Sequence, residues 1–180
     1  MNDQVPCRTR RRKVAPVPAR PAFDTETLWL TDGQLATWRG LMNLIQRLPA
    51  ALECQLQADS QLSFLEYYVL ALLADQPGRR LRMSELAAQA NAELSRVSHL
   101  VSRLVKRGLL EKEPDPDDGR YTFAVLTDAG FAHQADAAPG HVRRVRELFI
   151  DVLGPRDLDA LRRATDKMRT RLDSETEGGP

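Results

Sequence analysis

The chain has 180 residues, 42% of them hydrophobic and 28% charged, and its 26 Lys and Arg against 25 Asp and Glu leave a formal net charge of +1. That length suits one domain with an ordinary globular core and makes a multidomain, coenzyme-binding enzyme a poor fit. Two cysteines, Cys7 and Cys54, form no CxxC pair or disulfide framework, and the longest apolar run, the eight residues from Tyr67 to Ala74, falls far short of the roughly 20 that a membrane helix needs.

The near-neutral average hides local patches. Residues 1–20 carry six basic side chains, Arg8, Arg10, Arg11, Arg12, Lys13 and Arg20, against Asp3 alone, and Pro6, Pro16, Pro18 and Pro21 interrupt any helix there. Residues 1–24 therefore read as a disordered basic arm. "RTRRRK" is followed by prolines instead of an apolar helical core, so a secretory leader is not expected and the reducing cytoplasm is. Residues 25–175 form the expected single domain, and 176–180 a flexible tail. Asp32 is placed to cap a long helix through about Gln57, with Leu35, Trp38, Leu41, Met42, Ile45, Leu48, Leu52 and Leu56 spaced by three and four and a kink expected at Pro49. Ser63 starts a second helix, "SFLEYYVLALLAD", whose crowded apolar residues indicate burial, and "QPGRRLR" breaks it.

Ser84 reads as the N-cap of "ELAAQA", and "NAEL" separates that helix from another beginning near Ser95. At 100° per residue, Val97, Leu100, Val101, Leu104 and Val105 fall on one side of this helix. Ser95, Arg96, Ser98, His99, Ser102, Arg103 and Lys106 fill the other. From Arg79 to Arg107 there are seven basic residues to two acidic, and none acidic between Ser95 and Lys106. Such a face suits a major groove: Arg forks onto guanine, and His and Ser reach base edges or phosphates. Ser84, at the start of the preceding helix, joins the candidate DNA contacts. Gly108 is placed to end the helix in a left-handed conformation. Leu109 to Glu113 and Tyr121 to Leu126 then read as paired strands joined by the turn "PDPDDGR", which makes residues 63–130 a winged helix-turn-helix.

The segment "LRMSELAAQANAELSRVSHLVSRLVKRGLLEKEPDPDDGRYTFAVLTDAG" resembles the DNA-binding lobe of the MarR family, the multiple-antibiotic-resistance-type transcriptional regulators of bacteria. Its specific parts are "SRVSHLVSRLVKRGLL", the wing motif Asp118-Gly119-Arg120 and "LTDAG", and the resemblance extends from about Leu28 to Leu172. It implies a mainly α (α+β) fold with long N- and C-terminal helices, residues 25–62 and 131–175, forming a dimerisation region. It further implies an obligate homodimer on a palindromic operator in double-stranded DNA, with Arg120 reaching a minor groove and a small aromatic molecule often releasing the DNA. A narrow minor groove concentrates negative potential, so one arginine at a wing tip adds a useful second anchor. Asp118 is placed to steady Arg120 by a charge-assisted hydrogen bond. Asp115, Asp117, Glu111 and Glu113 put negative charge near a phosphate backbone, which opposes binding unless they point away.

Competing chemistries are weaker. A calcium loop starting at Asp115 needs a carboxylate at 126, which is Leu126, and His133, Asp136 and His141 straddle Pro139-Gly140 without metal-ligand spacing, so solvated surface is expected there and no metal or cofactor. No nucleophile elbow, phosphate-binding loop or HExxH points to an enzyme. Leu148, Phe149, Val152, Leu153, Leu158, Leu161, Met168 and Leu172 form a stripe that a second chain would cover, packing between the two ends of one chain being the alternative. Trp29, Trp38, Tyr67 and Tyr68 are candidates for an effector pocket, although such residues are more often core. Cys54 has no cationic neighbour in sequence and reads as structural. The function expected is a sequence-specific dimeric regulator, a repressor by preference. The alternative is a winged-helix protein-interaction module or a DNA-coating protein, favoured by the basic arm.

Overall fold

A computed structural model describes residues 29–177, with side chains through 175, so the expected arm at 1–24 and residues 178–180 of the expected tail lie outside the described residues. The chain divides between Ala50 and Ala51 into two compact units. Helix α1, Asp32–Ser60, crosses that division and runs through Pro49. Its cap is Thr31, not Asp32. The Thr31 hydroxyl accepts the Gln34 N–H at 3.3 Å while the Gln34 side chain accepts the Thr31 N–H at 2.9 Å, a reciprocal capping box. Asp32 moves into the first turn, where its charge meets the positive end of the helix dipole.

In the unit from Ala51 onward, Leu56 of α1, Leu62 and helix α2, Phe64–Ala74, build the centre of the core through Val69, Leu70 and Leu73. Ser63 caps α2 as expected, its hydroxyl accepting the Glu66 N–H at 3.2 Å and the Glu66 carboxylate accepting the Ser63 N–H at 2.9 Å. A 3-10 turn at Pro77–Arg79 leads into β1, Arg80–Arg82, so the segment "QPGRRLR" ends α2 and also supplies a strand. Its alternation is a single cycle: Leu81 is buried between two arginines. Strand β1 lies beside β3, Thr122–Leu126, which also pairs with β2, Leu110–Pro114, so the antiparallel sheet has the order β1-β3-β2.

Helix α3, Met83–Gln89, begins one residue before Ser84, and Arg82 occupies the cap position. The reason lies three residues on, where the Glu85 carboxylate accepts the Arg82 N–H at 3.2 Å; Ser84 sits inside the first turn and makes no such cap. Asn91 takes a left-handed conformation (φ 47°), with the Asn91 N–H donating to Ala88 and the Ala92 N–H to Ala87, which closes α3 and makes the tight turn into α4, Leu94–Lys106. Helix α4 ends by the same device: Gly108 has φ 71°, its N–H donates to Val105 and that of Leu109 to Leu104. The apolar side expected for α4 is the buried one, with Val97, Leu100, Val101 and Leu104 in the core and Val105 partly buried.

Helix α5, Asp128–Val145, starts from Thr127, continues into a π turn at Arg146–Ile150, and is followed by α6, Pro155–Glu177. The "LTDAG" segment has a specific packing role. The Thr127 hydroxyl donates to the Gly108 carbonyl at 2.8 Å and accepts the Gly130 N–H at 2.9 Å, and Gly130 lets α5 approach the Leu109 carbonyl closely. The architecture is mainly α with a three-stranded wing.

Candidate nucleic-acid interface

The polar side of α4 is open where the groove reading needs it. Ser95, Arg96, His99 and Lys106 are exposed, as is Ser84 on α3, while Ser98 and Ser102 are half-buried. Ser102 is engaged locally: its hydroxyl donates to the Ser98 carbonyl at 2.8 Å and accepts from Lys112 Nζ at 3.0 Å. Lys112, on β2, is thus a cation beside the recognition face that helix periodicity had no means of finding. Arg103 has a second commitment. Its guanidinium lies 3.3 Å from the carboxylate of Glu66, a residue 6% exposed, and Arg107 lies 3.8 Å from the same group. These arginines compensate a buried charge that would otherwise be costly, which ties α4 to α2.

At the wing, Arg120 has a side chain 84% exposed and is held by Asp118 as expected. Arg120 Nε donates to Asp118 Oδ1 at 2.9 Å, Nη2 donates to Oδ2 at 2.6 Å, and the Arg120 backbone N–H also reaches Oδ1 at 3.1 Å. This pairing, with the guanidinium first, holds the Asp118 carboxyl below the ordinary carboxylate range and raises Arg120 further. Nη1 takes no part in these bonds, so the fork still presents donors outward.

Asp115 does not present its charge to a phosphate backbone, the condition on which the acidic turn is compatible with binding. It is 3% exposed, and its Oδ2 lies 2.6 Å from Arg82 Nη2. Its Oδ1 accepts the Asp117 N–H at 2.9 Å, and that bond, followed by the Arg82 charge, lowers its pKa. Glu113 lies 4.0 Å from Arg80. The guanidinium of Arg82 also sits over the rings of Tyr121, at 5.1 Å, and Phe123, at 5.9 Å. The signal available in sequence was an Asp followed by an Asx-type turn; its partner on β1 leaves no local trace.

The candidate pocket residues are dispersed in character. Trp38, in the first unit, is 53% exposed. In the second, Tyr68 is exposed and stacked on Phe64, whereas Tyr67 is a core residue whose ring lies 4.4 Å from that of His141. His133 and His141 are half-buried instead of solvated: His133 Nε2 donates to the Ser60 carbonyl at 2.9 Å, and burial lowers the His141 pKa. Among the described residues, no group of three or more His, Cys, Asp or Glu is placed to hold a metal ion, and no helix is long and apolar enough to cross a membrane.

A model of the MarR family matches residues 60–120. The chain is similar to Sco3205, a MarR family transcriptional regulator from Streptomyces coelicolor solved in complex with DNA, with 39% identity, a TM-score of 0.77, and coverage of 80% of this chain and 94% of that one. It is also similar to AbsC, another MarR family regulator from Streptomyces coelicolor, with 36% identity, a TM-score of 0.78, and coverage of 83% and 100%. A curated relative, the transcriptional regulator HosA of Escherichia coli O111:H-, is 35% identical over 75 residues, 41% of this chain and 53% of HosA. The chain spans between 53% and 63% of the length of the curated relatives it matches.

Proposed function

The chain belongs to the MarR family of transcriptional regulators, and from that premise we propose that it is a sequence-specific repressor that binds a palindromic operator in double-stranded DNA as a homodimer. One observation carries the reading: the exposed face of α4, with Ser95, Arg96, His99 and Lys106 and no carboxylate among them, lies on the same lobe as the exposed wing arginine, Arg120. Direct readout of bases needs side chains that fork or donate, delivered by a helix, and a positively charged anchor in the next groove. Ser84, Ser98, Ser102 and Arg103 are assigned supporting phosphate or positioning roles, and Asp118 keeps Arg120 in place.

Homodimer formation is supported by apolar side chains in the terminal helices. Trp38, Leu44 and Ile45 on α1, and Met168 and Leu172 on α6, are exposed in a single chain, and covering such surface is what a partner copy does. A small aromatic effector releasing the DNA is the finer part of the proposal, with Tyr67 and Tyr68 in one unit and Trp38 in the other as the residues to test first. The protein acts where its DNA lies, in the cytoplasm, and its role is binding, not catalysis.

The experiment is selection of preferred duplexes from random sequence, followed by titration of wild type, Arg96→Ala and His99→Ala on the selected operator and on random duplex. Each variant should lose about 1 to 3 kcal/mol on the operator, with relaxed preference at particular base pairs, and less on random DNA. Equal losses on both would reduce α4 to a phosphate contact. No enriched sequence at all would favour the DNA-coating alternative.

A further inference from the structure

The ladder between β2 and β3 ends at the Pro114 and Thr122 pair, so strand pairing alone does not fix the loop that carries Arg120. Beyond that pair the loop is held by the Asp115 N–H donating to the Tyr121 carbonyl at 3.0 Å and the Tyr121 N–H donating to that of Asp118 at 2.9 Å. Within the loop Arg120 is also bound to Asp118, and the anchor that reaches outside the hairpin to the helix-turn-helix is Asp115. One carboxylate oxygen gathers the Asp117 N–H, and the other is gripped by Arg82 at 2.6 Å. Arg82 is also the cap residue of α3, its own N–H bound by Glu85. This side-chain pair therefore joins the base of the wing to the cap of the first helix of the helix-turn-helix, beside the contacts of Arg82 with the Tyr121 and Phe123 rings.

The carboxylate of this pair is buried while the Arg82 side chain remains half-exposed. An ion pair with a buried member is a poor device for stability alone, because apolar residues of similar volume do as well or better; its best attested use is to set one arrangement over others. We propose that Arg82 and Asp115 are positioning residues that fix the wing arginine relative to the recognition helix, so that Arg120 and α4 reach DNA in one register. This rests on the DNA-binding reading above. Neither residue needs to touch DNA. Removing the pair frees the loop carrying Arg120 without deleting Arg120, and the wing's contribution to binding falls because its position must then be ordered on contact.

The test is a double-mutant cycle by anisotropy titration on the selected operator at fixed salt, with wild type, Asp115→Asn, Arg120→Ala and the double variant, and melting temperatures measured alongside. Asp115→Asn should weaken binding by roughly 2- to 150-fold, the span of coupling within one side-chain network, and the double variant should bind no worse than Arg120→Ala alone. A merely structural Asp115 would give independent losses that multiply; that result, or no loss from Asp115→Asn, overturns the proposal, as does an Arg120→Ala variant that binds like wild type. Should Asp115→Asn melt below the assay temperature, Arg82→Lys takes its place in the cycle, keeping the charge but losing the planar fork. Wild type binding operator and random duplex equally would overturn the regulatory reading instead, and the same cycle on random duplex would still decide the positioning role.

Discussion

Gly130→Ala is the sharpest perturbation the packing allows. A Cβ at this position collides with the Leu109 carbonyl oxygen and comes within 2.7 Å of Leu126 Cδ1 and 2.9 Å of the Leu109 carbonyl carbon. The obstacle is backbone, and it is pinned, since that carbonyl already accepts the Thr127 N–H at 3.3 Å and lies 3.1 Å from the Thr127 hydroxyl, whose one proton it shares with the Gly108 carbonyl. Overpacking costs about 1 to 3 kcal/mol where neighbours adjust, and more where they cannot. Helix propensity offsets up to about 1 kcal/mol by favouring Ala over Gly. The net loss should be at least about 2 kcal/mol, a fall in melting temperature of roughly 4 to 8 °C for a chain of this size. Two other glycines calibrate the scale. Gly119→Ala meets nothing within 4 Å and should be silent, while Gly108→Ala keeps open space but strains a left-handed backbone at φ 71°, costing about 1 to 2 kcal/mol. Thermal unfolding by circular dichroism at one protein concentration reads all three. Gly130→Ala melting with wild type would show that α5 does not seat on the Leu109 carbonyl and would refute the close-packing argument.

Three further outcomes follow from the same geometry. Glu66→Ala removes the acceptor for the Ser63 N–H and the partner of Arg103 and Arg107, and should cost about 1 to 3 kcal/mol in urea unfolding, with Glu66→Gln losing less because a neutral acceptor remains. Arg120→Ala should weaken operator binding most where the flank beyond each half-site is A·T-rich with a narrow minor groove, and Arg120→Lys should recover only part; equal losses on every flank, read by titration, would make Arg120 a general phosphate contact. The ring of His141 packs against Tyr67 and Phe64, and burial lowers its pKa, so the unfolded chain takes up the proton first. Stability should therefore decline as pH falls through the unfolded value of about 6.5, and His141→Phe should flatten that part of a pH series of melting curves.

Where the sequence speaks locally, it was legible. Ser63 starts α2 as its place before the apolar run predicts, the two faces of α4 follow from its 3.6-residue period, and Gly108 can be read as a helix stop because its freedom at positive φ suits the turn. Two caps slipped, one by a single residue and the other by two, for an identifiable reason. At Thr31 and Arg82 the reciprocal acid or amide, Gln34 and Glu85, decides the start of the helix, and the more familiar capping residues Asp32 and Ser84 lie one or two residues inside. Strand β1 was missed because three residues give no period, and what makes it a strand is its register against β3, with Leu81 opposite Ala124. Long-range ion pairs leave no pattern at all, so neither the tie of Arg103 to Glu66 nor that of Asp115 to Arg82 could be read from the sequence.

Those pairs change the electrostatic argument about the wing. Read along the chain, the carboxylates from Glu111 to Asp118 form an acidic block that should repel phosphate. Read in space, three of them are matched with arginines: Glu113 with Arg80, Asp115 with Arg82 and Asp118 with Arg120. Asp115 is buried and Arg82 lies half-exposed above it, so that pair contributes shape and offsets the carboxylate's charge within the loop. The Asp118 pair differs, because its arginine is the group offered to DNA. A carboxylate gripping two of the three guanidinium nitrogens reduces the net charge that the wing presents, and a free arginine would attract DNA more strongly over distance. What the pair provides in return is a long side chain already held in one geometry, with Nη1 outward, so that less freedom is lost when it enters a groove. Attraction is thereby left mainly to the exposed cations of α4, and the wing contributes placement.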